Sequence, residues 1–192
     1  MPTKFPIANP LREAIFACFA ATTYLVRPDL RRQLVLKTGD VDVAAPPDAI
    51  HDIGSGIMDG ALNFSQHPDG KIAFSAPQGF IIYLDLIEMG GAGCIERIHA
   101  TKTLGGGSLA SVADLLLLRA VTVVDRGSDG DILDFEWLLS RVIETDKLPL
   151  IDAEELDWLY RAMAICLGEV GCLVVAAILS ENNASEASLL LQ

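Results

Sequence analysis

The hydrophobic pattern of this chain changes its period once, near residue 110, from two residues to 3.6. Before that point, short apolar and β-branched runs alternate with turn signals, and 80–87 (FIIYLDLI) is the strongest strand pattern. After it, apolar residues recur at helical spacing. We therefore predict an α+β fold, with a mixed β-sheet flanked by helices over residues 1–110. A small C-terminal helical bundle over residues 111–192 follows and packs with the sheet as one unit.

Turn and cap signals divide both parts into predicted elements. In the first part, helices are expected over 9–24 and 47–60, and strands over 33–36, 40–44, 71–75, 80–87 and 94–99. In the second part, helices are expected over 112–124, over 131–144 and from the acidic turn at 152–155 onwards. Two glycine-rich stretches, 90–93 and 105–108, lack the lysine-serine ending of a phosphate loop. Both are predicted to be flexible loops.

Two apolar runs, 14–26 and 162–180, are long enough to be tested as a signal sequence and a membrane span. The first is preceded by an acidic residue and by a helix-start pattern. The second contains Glu169, a charge that is costly inside a bilayer. We therefore predict a helix for the first run and a buried helix pair, broken near Gly168 or Gly171, for the second. The expected protein is cytoplasmic and has no membrane partner.

Charge and cysteine usage narrow the classes of function. The chain carries 26 acidic and 14 basic side chains, a net charge of −12, which disfavours binding to duplex nucleic acid because a polyphosphate is repelled. The four cysteines form no C-x-x-C pair, and the three histidines do not supply the spacing of a zinc site. We expect the cysteines to be reduced thiols in the core.

The segment from Thr38 to Val43 places two carboxylates two residues apart in a strand pattern. Asp40 and Asp42 should therefore share one face of the strand, while Val41 and Val43 face the core. Two neighbouring carboxylates repel unless a cation neutralises them, and hard oxygen ligands suit Mg²⁺ or Mn²⁺. The segment is either a metal platform or an ordinary solvated edge strand.

A third aspartate, Asp85, lies inside the apolar run 80–87. Burying a carboxylate without compensation costs several kcal/mol, so a buried Asp85 would need a partner. If its strand lies beside 40–44, the three carboxylates converge and a divalent cation removes the penalty. The alternative is that Asp85 faces solvent together with Ile81 and Tyr83.

Three segments together resemble one known family. They are the T-x-D-V-D-V motif at 38–43, the strand aspartate in 83–86 (YLDL) and the helical stretch 110–139, which runs through an Arg-Gly turn. In these segments the chain is similar to the nucleotidyltransferase superfamily of the DNA polymerase β type. Within that superfamily, the chain most resembles small stand-alone members similar to the AbiEii-type toxin nucleotidyltransferases and their fungal relatives. The resemblance covers residues 10–145 and implies transfer of a nucleoside monophosphate from an NTP to an acceptor hydroxyl that the sequence does not identify.

Carried over residue by residue, the resemblance implies that Asp40 and Asp42 bind two Mg²⁺ (or Mn²⁺) ions. Asp85 would ligate one of these ions while activating the acceptor. Paired cations suit this reaction because in-line attack at phosphorus builds negative charge on the entering and leaving oxygens. The candidates for binding the triphosphate are the cationic side chains of Lys37, Lys71, Arg97, Lys102 and Arg126.

One feature of that family is missing and supports a second hypothesis. Family members carry a Gly-Ser or Gly-Gly pair at a helix N-terminus about ten residues before the first aspartate, where backbone amides hold the triphosphate. The matching window, 22–32, contains no glycine and no serine, although three arginines supply charge. The second hypothesis is therefore a catalytically degenerate protein that keeps the fold and acts as an interaction module. It would form a homodimer through its apolar C-terminal helices, 173–191.

Overall fold

A computed structural model describes residues 7–36, 41–67, 70–89, 98, 101–145, 151 and 153–180 of the 192-residue chain. Within these residues the fold is α+β, with five α-helices and one mixed sheet of seven strands. The chain divides into two compact units between Ser111 and Val112, next to the boundary predicted at residue 110.

The first unit contains the sheet. Its elements are α1 (Asn9–Leu25), β1 (Val35–Leu36), β2 (Val41–Ala45), α2 (Pro47–Met58), β3 (Phe64–Gln66), β4 (Ile72–Ser75), β5 (Ile81–Glu88), β6 (Thr101–Leu104) and β7 (Gly107–Ala110). The strand order is β3-β4-β5-β2-β1-β7-β6. The pairs β2–β5 and β1–β7 are parallel, and the other neighbours are antiparallel. This order places the predicted aspartate strands β2 and β5 side by side.

One hydrophobic core joins the two helices of this unit to the sheet. Pro10 lies in the first turn of α1, where its missing N–H removes no helical hydrogen bond. The helix then buries a stripe at the spacing of successive turns, made of Ala14, Ile15, Cys18 and Phe19. The sheet contributes the buried residues Leu34, Leu36, Val41, Val43, Ile82 and Leu84. Because side chains alternate along a strand, these residues define the inner face of β2 and β5.

The sequence pattern does not predict β3, β6 or β7. The prediction of a flexible loop over 105–108 is wrong, because Gly105 and Gly106 form the two-residue turn of the β6–β7 hairpin and Gly107 begins β7. Gly105 has a φ of +56°, which glycine adopts without strain. The other glycine stretch, and the strand predicted over 94–99 except for Ile98, lie outside the described residues.

Gly107 is packed so closely that a side chain cannot fit. A Cβ atom there would lie 2.6 Å from Cζ of Phe19 and 3.0 Å from the carbonyl oxygen of Leu34. We expect Gly107→Ala to lower the free energy of unfolding by about 1–3 kcal/mol in urea denaturation. The matched control is Gly54→Ala in α2, where a Cβ meets no atom within 4 Å. That control should raise the free energy of unfolding by up to about 1 kcal/mol, and equal effects of the two variants would contradict the packing.

The second unit contains three helices, α3 (Val112–Asp125), α4 (Asp129–Thr145) and α5 (Ala153–Ser180), which share one core. Its fully buried side chains include Leu116 of α3, Phe135 of α4 and Met163 of α5. Gly168 interrupts α5 with a φ of +65° and a ψ of 178°, which confirms the predicted break. None of the helices in the described ranges combines the length and the apolarity that a membrane crossing requires.

Candidate functional site

The two described aspartates of the predicted platform are direct neighbours in the sheet. In the parallel pair of β2 and β5, Asp42 is the Cα partner of Asp85. Val41 and Val43 are completely buried, and Leu84 is nearly so, which puts both aspartates on the opposite face of the sheet. Adjacent strands are about 4.8 Å apart, so two carboxylates here are within reach of one cation. The condition for convergence, that the two strands are neighbours, is therefore met for Asp42 and Asp85.

Asp85 is exposed, so of the two alternatives left open by the sequence, the buried carboxylate is wrong. It shares its face with Ile81, which is 65% exposed, and with Tyr83, which is 48% exposed. The alternative, that all three face solvent, is confirmed. The whole run is apolar, but only its alternate residues Ile82 and Leu84 reach the core. A burial penalty therefore does not require a cation at Asp85, and its position opposite Asp42 is the remaining reason to expect one.

A lysine lies on the other side of Asp85. In the antiparallel pair of β4 and β5, Ile72 is the partner of Leu84, and the same register continued by one residue sets Lys71 opposite Asp85. Beyond Lys71, the backbone N–H of His67 donates to the carbonyl oxygen of Lys71 at 2.7 Å. The sheet thus carries one row of ionisable residues across four neighbouring segments, in the order Asp42, Asp85, Lys71, His67.

Tyr83 lies next to the basic half of this row. The Nζ atom of Lys71 is 5.8 Å from the centroid of the Tyr83 ring. The ring of His67 meets Tyr83 edge-on, with the centroids 6.2 Å apart and the planes at 85°. A cation over an exposed ring gains about 0.5–1 kcal/mol, so Tyr83 favours a position of Lys71 close to the sheet.

A pocket of about 380 Å³ opens beside these side chains. Among the described residues, its polar lining consists of Lys71, Tyr83 and Asp85, and its apolar lining consists of Leu11, Ile15, Val41, Ile81 and Ile82. Sequence reasoning identified Lys71 and Asp85 but missed Tyr83, His67 and the pocket itself. Tyr83 could have been predicted as a site residue, because it lies two residues before Asp85 in a strand and such residues share one face.

The row does not include the other predicted site residues. Arg126 belongs to the second unit, where its Nη2 atom lies 3.3 Å from Oδ1 of Asp131 and its side chain is 69% exposed. Lys102 lies on β6, the opposite edge strand from β3 in the sheet. Three predicted site residues fall outside the described residues: Lys37, Asp40 and Arg97.

The donor atoms present fit a magnesium ion that is shared with a substrate. Among the described residues, no three His, Cys, Asp or Glu side chains form a group that could hold a metal ion alone. Mg²⁺ commonly binds proteins through one or two carboxylates and takes its other ligands from water and substrate phosphates. Asp42 and Asp85 provide that number of carboxylates.

The described cysteines do not offer nucleophilic chemistry. Cys18 and Cys172 are buried, and Cys166 is half-buried; none of the three is in a disulfide. Burial raises the pKa of the Cys18 thiol to about 12, and burial is also the main cause that raises the pKa of Cys166 to about 11. Both side chains are therefore mainly protonated thiols at neutral pH, which disfavours them as thiolate nucleophiles.

No protein family, characterised protein or solved structure matches this chain.

Proposed function

We propose that this protein binds a magnesium-bound nucleoside triphosphate at Asp42 and Asp85 and transfers the nucleoside monophosphate to an acceptor hydroxyl. The observation that supports the proposal is the register of β2 and β5, which sets the two carboxylates opposite each other on one sheet face. The proposal also assigns the mixed sheet to the nucleotidyltransferase type, with the three C-terminal helices as a small bundle. A reaction that consumes NTP is consistent with a cytoplasmic protein.

The proposed roles follow from charge. Asp42 and Asp85 hold the divalent cation, which stabilises negative charge on the phosphate oxygens when bound. Asp85 also lines the pocket and is exposed, so it can accept the proton of an acceptor hydroxyl. Lys71 follows Asp85 in the row and binds a phosphate oxygen through its ammonium group. Asp40, two residues before Asp42 in the sequence, is the proposed further metal ligand.

A ligand-induced thermal shift tests this proposal. With Mn²⁺ or Mg²⁺ and an NTP at a hundred times its Kd, the Tm should rise by about 5 °C or more, because ligand that binds only the native state adds about 2.7 kcal/mol. Asp42→Ala and Asp85→Asn should abolish the shift. The Tm of each variant without ligand is its own reference for the shift.

The matched control is Asp59→Asn, an exposed aspartate after α2 in the same unit. This variant should show the same ligand-induced rise in Tm as the unchanged protein. If none of the four NTPs raises the Tm of the unchanged protein, or if Asp59→Asn loses the shift as well, the proposal is wrong. A dimer in sedimentation that is insensitive to metal ions would then favour the noncatalytic module.

A further inference from the structure

The face of α1 that points away from its buried stripe carries a second row of residues. Glu13, Phe16, Ala20 and Tyr24 lie within about 40° of one line along the helix, because each residue advances the helix by about 100°. Tyr24 is 74% exposed and Phe16 is 40% exposed, while Ala20 between them is half-buried. The helix therefore presents two aromatic side chains, two turns apart, on its outer face.

This outer row has opposite charges at its two ends. The exposed carboxylate of Glu13 lies at the N-terminal end. At the other end, Nε of Arg31 donates a hydrogen bond to the carbonyl oxygen of Val26 at 3.0 Å, and Cζ of Arg31 lies 5.4 Å from the centroid of the Tyr24 ring. The guanidinium group is thus held at the C-terminal end of the helix, beside Tyr24. The neighbouring Arg12 lies about 100° further round the helix from Glu13.

The outer row is symmetric about Ala20. Phe16 precedes Ala20 and Tyr24 follows it by four residues, which is about 6 Å along the axis in each direction. Glu13 lies about 10 Å before Ala20, and the helix end that Arg31 contacts lies about 9 Å after it. A second copy related by a two-fold axis at Ala20 therefore brings Phe16 against the other Tyr24 and Glu13 near the other Arg31.

The contacts of such a pair favour association. The small side chain of Ala20 allows two helices to approach to about 8 Å at the crossing point. Each contact between Phe16 and Tyr24 occurs twice, because a two-fold interface repeats every contact, and aromatic pairs stabilise beyond the area they bury. The net charge of −12 makes copies repel each other in general. Two local pairs of opposite charge then select this surface and the antiparallel orientation.

We infer that the outer face of α1 is a homodimerisation surface, on which a second copy of this chain packs antiparallel with the two-fold axis at Ala20. The inference does not depend on the proposed function, and its surface differs from the C-terminal helices of the second hypothesis. One crossing of two helices is a small interface, so we expect a weak dimer with a Kd of about 1–100 µM.

Sedimentation equilibrium of the full chain tests the inference, at concentrations from about 1 to 500 µM that bracket this Kd. Ala20→Glu should weaken dimerisation at least about tenfold, because two carboxylates then face each other at the two-fold axis. Glutamate is a good helix former, so α1 itself should remain intact. The matched control is Ala164→Glu, at an exposed alanine of α5, which should leave the Kd unchanged.

Charge reversal tests the orientation of the two copies. Glu13→Arg and Arg31→Glu should each weaken self-association at least about fivefold, because symmetry turns both attractive pairs into repulsive ones. A labelled Glu13→Arg variant titrated with Arg31→Glu should form a heterodimer as tight as the unchanged dimer, since both pairs are again opposite in charge. In a parallel arrangement, each residue would meet its own counterpart, and the single variants would self-associate like the unchanged protein.

Several results would overturn the inference. They are a monomer at all concentrations, a dimer with the same Kd in Ala20→Glu, or a mixture of the two charge variants that binds no more tightly than either variant alone. An equal loss in Ala164→Glu would place the dimer contact on the C-terminal helices. The rise in Tm with magnesium and NTP should be the same in Ala20→Glu as in the unchanged protein, so the failure of either proposal leaves the other standing.

Discussion

Replacement of Asp131 by alanine is expected to lower the free energy of unfolding by about 2–4 kcal/mol, because several hydrogen bonds to a buried charged group are lost together. The Asp131 side chain is only 8% exposed. Its Oδ1 accepts a hydrogen bond from Nη1 of Arg119 at 2.7 Å, and its Oδ2 accepts one from Oγ of Ser128 at 2.6 Å. Arg126 contributes little to the free energy of unfolding, because water screens the charge of its exposed guanidinium.

The same group ties two helices of the second unit together. Ser128 precedes α4, and its Oγ caps the helix by accepting a hydrogen bond from the backbone N–H of Asp131 at 3.3 Å. The same hydroxyl donates its proton to the Asp131 carboxylate, which holds it in the capping position. Arg119 lies on α3, and its Nη2 atom is also 3.2 Å from Oδ2 of Asp134. Loss of the Asp131 side chain therefore removes the acceptor that orients the capping hydroxyl of Ser128 and a link between α3 and α4 at once.

The stabilising effect of Asp131 should depend on pH. The hydrogen bond from Ser128, followed by the charges of Arg126 and Arg119, lowers the pKa of Asp131 below its ordinary value. Because the folded state holds the proton less tightly than the unfolded state, the contribution is complete above the unfolded pKa of about 3.9 and decreases as the pH falls below it. The difference between the unchanged protein and Asp131→Ala should therefore be constant from pH 5 to 7 and become smaller below about pH 4.

Urea denaturation at several pH values measures both effects. Asp129→Ala is the control, because it removes an exposed carboxylate from the same first turn and should cost less than about 1 kcal/mol through the helix dipole. A loss for Asp131→Ala that is no larger than that of Asp129→Ala would contradict the role of the buried cluster. So would a difference that keeps its full size at pH 3.

Long, strongly patterned segments were predictable, and short ones were not. The amphipathic stripe of α1 and the apolar run of β5 each extend over enough residues for their period to be unambiguous. In contrast, β3 and β6 have three and four residues with mostly exposed polar side chains. Such strands exist because a neighbour supplies the hydrogen bonds, and that information is not local. The same reason explains why the Gly105–Gly106 hairpin turn resembles a flexible loop in the sequence.

The candidate site was predictable at the level of strand faces. Alternation in 40–44 correctly predicts that Val41 and Val43 are inside, and so that Asp42 faces the other way. It does not determine the neighbour of β2, because parallel pairing of β2 and β5 follows a long connection through α2 and two further strands. It also does not determine whether the second face of β5 is covered, which is why the sequence left open whether Asp85 is buried or exposed.

The row of charges makes a second large prediction, for the rate of the proposed transfer. Asp85→Asn should lower the turnover number at least about a thousandfold, because it removes both a metal-ligating charge and the proton acceptor, each of which contributes several kcal/mol or two or more powers of ten. Lys71→Ala should lower turnover about 10- to 100-fold, since one phosphate contact is lost while the metal site remains. The control is Lys102→Ala. Lys102 lies on β6, at the edge of the sheet farthest from β3, so this substitution should not change turnover.

Pyrophosphate release from a magnesium-bound NTP measures this rate, with glycerol, a Ser- and Tyr-containing peptide and an RNA oligonucleotide supplied separately as acceptor hydroxyls. The order of the effects is more informative than their size. The register of β2, β5 and β4 places Asp42, Asp85 and Lys71 side by side, and their proposed roles in that order are metal ligand, proton acceptor and phosphate contact. A loss in Lys102→Ala equal to that in Lys71→Ala would mean that overall charge, and not the row, controls turnover. A full rate in Asp85→Asn would remove the carboxylate pair from the reaction, because no other described side chain lies opposite Asp42 on β5.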